Sequence, residues 1–353
     1  MSQKNEFLPL IISIIITGSL LGAGAWWLST IFFPHQESQS GKGDKNPPTE
    51  PPSPTQTTDG SFTQVPNVPN GVFRYGGSTT WAPIRASVDL DIQKTLGNFR
   101  LQYVHPLEGG IPSTGAGVEM LLNGKIDFAL ASRLLNTKDI EKAQQQGIKL
   151  NAIRVASSFK AIAVHRDLTL NDNGLTLHQI KQICDGNITN WQNVGGPDLP
   201  IQVFERNSPT SINTLGDRCQ GSNVVYVSTP TEAIHKLAQT PGGFYVNTAS
   251  LLVLQCSIKT LPVKNNSGKL VTPYKEPLVS PTNCRSQPNQ VNVEVFKNEE
   301  YPRELSDTLY VVVKEDGLRG QQAGEAYVNL LRSQEGQKSL EEAGFVGIPQ
   351  TTK

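Results

Sequence analysis

Between Gly71 and Ser132 the apolar residues change their spacing from strand-like to helix-like and back, twice over. That alternation restricts the fold more than any other feature of the chain. VFRYGG reads as a short strand ending in a glycine turn. Ile84, Val88, Ile92 and Leu96 then recur every fourth residue, which is one face of a helix. FRLQYVHP reads as a second strand. Val118, Leu121 and Leu122 line a second helix that ends at Asn123-Gly124, and IDFALAS follows as a third strand. Strands that run side by side in one direction need a crossover between them, usually a helix. The pattern therefore predicts an α/β chain with a doubly wound, largely parallel sheet.

The same grammar continues into a second unit. KAIAVHRD is a strand leading out of the first sheet. LTLHQIKQICDG is helical, with Leu177, Ile180 and Ile183 on one side. IQVFER and GGFYVN are strands around the helix TEAIHKLAQT. DTLYVVVK is a late apolar strand, followed by helical sequence up to Gly344. No internal repeat is evident. The expected division is lobe one at 71–163 with 308–353, and lobe two at 164–307. KAIAVHRD and DTLYVVVK would be the linking strands.

The N-terminus is of a different kind. Leu8 to Phe33 holds no charged residue. At 1.5 Å rise per residue this run makes about 39 Å of helix, enough to cross a hydrocarbon core of about 30 Å with tilt. Residues 1–33 are expected to be an uncleaved membrane anchor, with Trp26 and Trp27 towards its far end. The rival reading is a signal peptide cut after Ala23-Gly24-Ala25. Both send the rest of the chain out of the cytoplasm. Residues 34–70 are rich in Pro, Ser, Thr, Gln and Gly and cannot bury enough apolar surface to offset ordering. They read as a tether, about 110 Å long if fully extended.

Charge and cysteine content narrow the function classes. Lys and Arg number 31, as do Asp and Glu, so the chain is formally neutral and lacks the basic balance of a nucleic-acid binder. The four Cys show no CxxC or CxH spacing, and the His residues no i, i+4 pairing, which argues against a metal site. In an exported chain, Cys184, Cys219, Cys256 and Cys284 favour disulfides. Of three connectivities, neighbour pairing, Cys184–Cys219 with Cys256–Cys284, is expected; buried free thiols are the alternative. No GxSxG or SxxK motif supports a serine hydrolase.

The chemistry-bearing features are Ser/Thr/Gly loops where a strand hands over to a helix. They are Gly76-Gly77-Ser78-Thr79-Thr80, then Pro112-Ser113-Thr114-Gly115-Ala116-Gly117, then Arg206-Asn207-Ser208-Pro209-Thr210-Ser211, with Ala131-Ser132-Arg133 after a strand. Unpaired N–H groups and the positive end of the helix dipole suit an anion there. Ser and Thr add donors, and Gly lets the backbone approach. One such loop is usually just a helix cap; several, flanked by Arg133 and Arg206, point to an anion cleft. A structural salt bridge is the alternative role for each Arg.

Taken in order, these segments resemble the phosphate-binding subunit of phosphate ABC transporters, a type 2 periplasmic binding protein. YGGSTTWAP is similar to that family's first phosphate loop, and GIPSTGAGVEMLLNGKIDFALASR to its second loop, helix and strand. LTLHQIKQICDGNITNWQNVGG, TPGGFYVN, YPRELSDTLYVVVK and QKSLEEAGFVGIP match later blocks. The resemblance implies two lobes closing on an oxyanion, with Ser78, Thr79, Thr80, Thr114, Gly115, Ser132, Arg133, Arg206, Thr210 and Ser211 as the phosphate-binding set. Arg206 would be the main cation, its planar fork matching two oxygens. It further implies a monomer that is not an enzyme, needs no cofactor, and has an ABC-transporter permease as partner. Two positions depart from the family's pattern. Ser132 stands where phosphate binders often have a carboxylate, and the glycines of the usual R-x-S-G-S-G-T run are missing, with Pro209 in their place. A degenerate member acting as a sensor or interaction module is the alternative function.

Overall fold

The structure is a computed structural model that describes residues 60–107, 109–171, 174–207 and 219–348. The expected anchor at 1–33 and most of the expected tether lie outside them, as do Thr210 and Ser211. Among the described residues no helix is long and apolar enough to cross a membrane.

Lobe one follows the sequence rhythm. β1 (Gly71–Gly77), β2 (Phe99–Tyr103) and β3 (Phe128–Ala131) are parallel, with β1 between the other two. The helix expected over Ile84–Leu96 is two, α1 (Ala82–Ala86) and α2 (Val88–Thr95). They part at Ser87, whose hydroxyl donates to the Pro83 carbonyl at 2.9 Å. The break leaves the apolar stripe intact, since Ile84, Val88 and Ile92 are all buried. α3 (Thr114–Leu122) and α4 (Thr137–Gln145) follow, on opposite sides of β3 in sequence.

The chain passes between the lobes twice, outward along β4 (Leu150–His165) and back at the start of β12 (Ser306–Lys314). β4 is 16 residues long. Its first part pairs antiparallel with β12, and its second part with β8 (Gly243–Thr248). In lobe two, β6 (Gln202–Arg206) pairs parallel with β7 (Val224–Val227) and β8. The whole sheet runs β2-β1-β3-β12-β4-β8-β6-β7, with β9 (Ile258–Leu261) and β13 (Val346–Gly347) also on β4. A small sheet of β5 (Leu175–Thr176), β10 (Val263–Lys264) and β11 (Leu270–Val271) stands apart. Two helices of lobe two follow β5 and β7 in sequence, α5 (Leu177–Cys184) and α6 (Pro230–Leu237), and lobe one closes with α7 (Arg319–Arg332) and α8 (Gln334–Glu342).

Two boundaries differ from expectation. The crossover in β4 falls at Phe159–Lys160, because Ser158 still faces Asp307 in lobe one while Lys160 already faces Thr248 in lobe two. Phe159 and Ala161 to Ala163 accordingly sit in the lobe-two core. The expected tether is also too long. Phe62 is fully buried against Phe73, Trp81 and Leu331. Its N–H donates to Glu335 at 2.8 Å, and the Gly60 carbonyl accepts from the N–H of Glu335. One aromatic in a polar stretch is enough to anchor the segment to lobe one.

Both expected disulfides are present, Cys184–Cys219 and Cys256–Cys284, and no cysteine is free.

Candidate anion site between the lobes

Lobe one brings three chain segments to one edge of its sheet. β1 ends at Gly77 and β3 at Ala131, and α3 begins at Thr114. Two glycines make this convergence possible. Gly77 has φ +138°, and a Cβ there would lie 2.1 Å from the Leu130 carbonyl oxygen. Gly117, in the first turn of α3, would carry its Cβ 2.7 Å from the Gly77 Cα. Any larger residue at either position pushes α3 or β3 away from the loop after β1.

Within that corner the hydroxyls form one network. Ser78 Oγ donates to Ser132 Oγ at 2.8 Å, and Thr114 Oγ1 accepts from the Ser132 N–H at 3.1 Å. The backbone N–H groups of Ser78 and Thr80 already have acceptors within the protein. The Ser78 N–H goes to the Leu130 carbonyl at 2.9 Å, extending the strand pairing. The Thr80 N–H goes to Ser78 Oγ at 3.3 Å, as a helix cap. What remains for an anion is the Thr79 segment and the first turn of α3. The N–H groups of Thr114 and Gly115 have no acceptor within that helix. Ser113 caps it, with Oγ accepting from Ala116 at 3.2 Å.

Lobe two contributes Arg206, the last residue of β6. Its guanidinium crosses to lobe one, where Nη1 donates to Thr79 Oγ1 at 2.5 Å and Nη2 to the Pro112 carbonyl at 3.3 Å. One side chain thus touches both lobe-one loops. Burial pulls its pKa down, opposed by the nearby Tyr245, Glu205 and Tyr103. An arginine stays cationic through such a change. Tyr245 lies beside Phe204 in the register of β8 with β6, and its hydroxyl accepts from Asn247. Burial pushes the Tyr245 hydroxyl up to about 12, so it is neutral.

Arg133 behaves differently from Arg206. Its Nη1 donates to Asp139 at 2.6 Å and to the Leu134 carbonyl at 2.8 Å. Asp139 also receives the Asn136 N–H at 3.0 Å, closing the cap of α4. The guanidinium is therefore committed to the helix behind the site, the structural alternative for an arginine at this position. Its Nε and Nη2 are buried without a hydrogen-bond partner.

Local sequence pattern misses Tyr103 and Arg85. Tyr103 ends β2, and its hydroxyl donates to the Gly77 carbonyl at 3.3 Å. The Arg85 guanidinium carbon lies 3.6 Å from the centroid of the Tyr103 ring. Arg85 comes from α1 and Tyr103 from β2, so their contact is made by tertiary packing and no local pattern announces it. Among the described residues, no group of three or more His, Cys, Asp or Glu is placed to hold a metal ion.

The PBP superfamily domain matches over residues 48–335. The phosphate-binding protein PstS of Staphylococcus haemolyticus is 25% identical over 295 residues, covering 78% of this chain and 81% of its own. PstS of Staphylococcus aureus strain USA300 is 24% identical over 296 residues, covering 80% of each. A putative phosphate ABC transporter substrate-binding protein from Clostridium perfringens, solved with bound phosphate, superimposes with a TM-score of 0.60 at 20% identity. That match covers 79% of this chain and 100% of the other. An ABC-type phosphate transport receptor from Vibrio cholerae gives 0.53 at 17% identity over the same shares. The two-lobed α/β sheet is the type 2 periplasmic-binding-protein fold, and the chain belongs to the PBP superfamily.

Proposed function

We propose that the protein is an extracytoplasmic solute-binding protein that takes inorganic phosphate, or a similar tetrahedral oxyanion, between its lobes for transport or sensing. The observation that carries this reading is the reach of Arg206 from lobe two onto Thr79 and Pro112 of lobe one. A buried cation set against hydroxyls and a helix N-terminus is the chemistry a dehydrated dianion requires. The names of the relatives and of the superimposable structures support phosphate as the ion. In this reading Ser78, Thr79, Thr80, Thr114, Gly115, Ser132 and Arg206 line the site, Thr210 and Ser211 complete it, and Arg133 stands behind it through Asp139. The anion moves with closure of the lobes about the crossing at Phe159–Lys160. No residue is asked to make or break a bond.

The two disulfides support an oxidising compartment. Residues 1–33 then serve as the membrane anchor, with an ABC permease as the partner that receives the ion. Calorimetry and thermal shift with phosphate, sulfate, arsenate and molybdate test the reading. Saturable binding of phosphate with a rise in melting temperature is expected. A flat response to all four ions overturns it and leaves the sensor or interaction-module alternative.

A further inference from the structure

Arg85 is a partly buried cation with no carboxylate beside it in an ion pair. It lies in the last turn of α1, the short helix that follows the Ser78-Thr79-Thr80 loop. Among the described residues it makes no salt bridge, and its Nε is buried with no hydrogen-bond partner. By contrast Arg133 is paired with Asp139, and Arg74 with Asp127. The nearest thing to a partner is an aromatic face. The guanidinium carbon is 3.6 Å from the centre of the Tyr103 ring, well within the range of a cation–π contact.

Tyr103 is itself held on several sides. Tyr75 meets it edge-on at 5.7 Å between ring centres, and His105 at 4.9 Å. Its hydroxyl reaches over β1 to the Gly77 carbonyl, immediately before Ser78. Gly77 has a backbone conformation that other residues rarely adopt, and the Tyr103 hydroxyl is one of the groups that hold its carbonyl. Arg206 acts electrostatically on the same Tyr103 from across the cleft. Tyr103 thus feels guanidinium charge from both lobes, with Arg85 in contact with its ring.

Behind the pair lies a buried carboxylate. Asp89 accepts hydrogen bonds from the hydroxyls of Tyr75 and Tyr327, the latter at 2.6 Å, and feels the field of Arg85.

We propose that Arg85 is a positioning residue of the anion site: laid across the Tyr103 ring, it holds the Tyr103 hydroxyl on the Gly77 carbonyl, fixes the Thr79 loop, and adds a second positive charge to that of Arg206. The inference rests on the oxyanion-binding reading above. It assigns the lobe-one side of the cleft a cation that the loop residues alone do not supply.

The test is calorimetric titration of inorganic phosphate into the full-length protein and into Arg85→Gln, Arg85→Lys and Tyr103→Phe, at low and high salt. Thermal midpoints are recorded alongside. Arg85→Gln is expected to raise Kd about tenfold and to flatten its salt dependence, because one of two screened charges is gone. Arg85→Lys keeps the charge and loses the planar stack, so it retains the salt dependence with a smaller loss of affinity. Tyr103→Phe weakens binding several-fold with the salt dependence of the wild type. Wild-type affinity in Arg85→Gln overturns the assignment. So does an equal loss in Arg85→Gln and Arg85→Lys with unchanged salt dependence, which marks a purely structural role. If the wild-type protein binds neither phosphate nor sulfate, the oxyanion reading itself fails and the Arg85 role falls with it. Binding by the wild type and by Arg85→Gln alike removes Arg85 only.

Discussion

The two lobes meet at one site but are built and held by different means. Lobe one supplies many neutral donors, fixed by close backbone approach at Gly77 and Gly117 and by the hydroxyl chain Ser78, Ser132 and Thr114. Among its described residues there is no covalent crosslink. Stacked rings, Tyr75 on Phe128 and Phe128 on Tyr327, surround the buried Asp89 instead. Lobe two presents the Arg206 guanidinium at the end of β6 and contains both disulfides. The difference teaches a division of labour. The neutral side is a cradle whose parts share the work. The charged side concentrates it in one side chain on a crosslinked frame.

The largest effect therefore belongs to Arg206. Arg206→Gln should leave the fold intact and cost about 3–5 kcal/mol of oxyanion binding, the scale for breaking a buried charge pair. That corresponds to a roughly 10²–10⁴-fold rise in Kd. Phosphate titration checks it. Equal binding by the variant would mean that the cradle holds its anion by neutral donors alone, and the division of labour would collapse.

Next comes the crosslinked frame. Cys184 closes α5, and its carbonyl accepts from the N–H groups of both Gln220 and Gly221, so the disulfide to Cys219 fastens a junction that is already hydrogen-bonded. Joining residues 35 apart removes about 3–4 kcal/mol of chain entropy from the unfolded state. Replacing Cys184 and Cys219 together by Ser should lower stability by that order. Hydrogen exchange should rise in β6 and β7 while β1 to β3 keep their protection. A uniform rise across both lobes would show that they unfold as one unit.

Much of this asymmetry can be traced in the sequence, and its limits are physical. Local spacing found β1, β2 and β3, because a two-residue and a four-residue period are written in neighbouring residues. The apolar strand before Arg206 and the Ser/Thr/Gly runs mark loops that the structure places at strand and helix ends, for the same reason. Neighbour pairing of the cysteines also matched. The failures are all of one type. Ser87 breaks a continuous apolar stripe with a side-chain bond that the stripe does not reveal. Phe62 lies in a Pro- and Thr-rich stretch and is recognised as core only when Glu335 and α8 are beside it. Arg133 sits next to Ser132 in sequence, yet its partner Asp139 turns it towards α4. Arg85 and Tyr103, on α1 and β2, meet through tertiary packing and carry no shared motif. Pairings made by tertiary packing have no local signature.

The interior of lobe one should announce itself through pH. Asp89 is almost wholly inaccessible, and burial raises its pKa from 3.8 to about 6, against the lowering effect of the Tyr327 and Tyr75 hydroxyls and of Arg85. The folded protein therefore binds this proton more tightly than the unfolded chain does. Its stabilising contribution is complete below the unfolded value near pH 4 and is lost as pH rises through about 6. The size is on the order of 2–3 kcal/mol, because each tenfold difference in proton affinity is worth about 1.4 kcal/mol. Denaturant midpoints at pH 4.5 and 7.5 should show this fall in the wild type and a smaller one in Asp89→Asn. Identical pH profiles for the two proteins would place the titrating group elsewhere.

The smallest effect tests the cradle where it is most widely shared. Ser132→Ala removes an acceptor from Ser78 Oγ but leaves the bond from the Ser132 backbone N–H to Thr114 Oγ1 in place. Ser78 is nearly buried, at 5% exposure, so its hydroxyl loses a partner that water replaces poorly. A neutral hydrogen bond of this kind contributes about 1 kcal/mol. The variant should bind phosphate about fivefold more weakly, since about 1.4 kcal/mol is tenfold. That is small beside Arg206→Gln because Thr79, the first turn of α3 and the Ser78 hydroxyl, free to rotate towards the ion, all remain. The same titration series decides the point. If Ser132→Ala costs as much as Arg206→Gln, the hydroxyl at 132 is a principal ligand and lobe one concentrates its donors just as lobe two concentrates its charge. If it costs only a few-fold, the neutral side is a shared surface, and the cation opposite it carries the larger part of the binding energy.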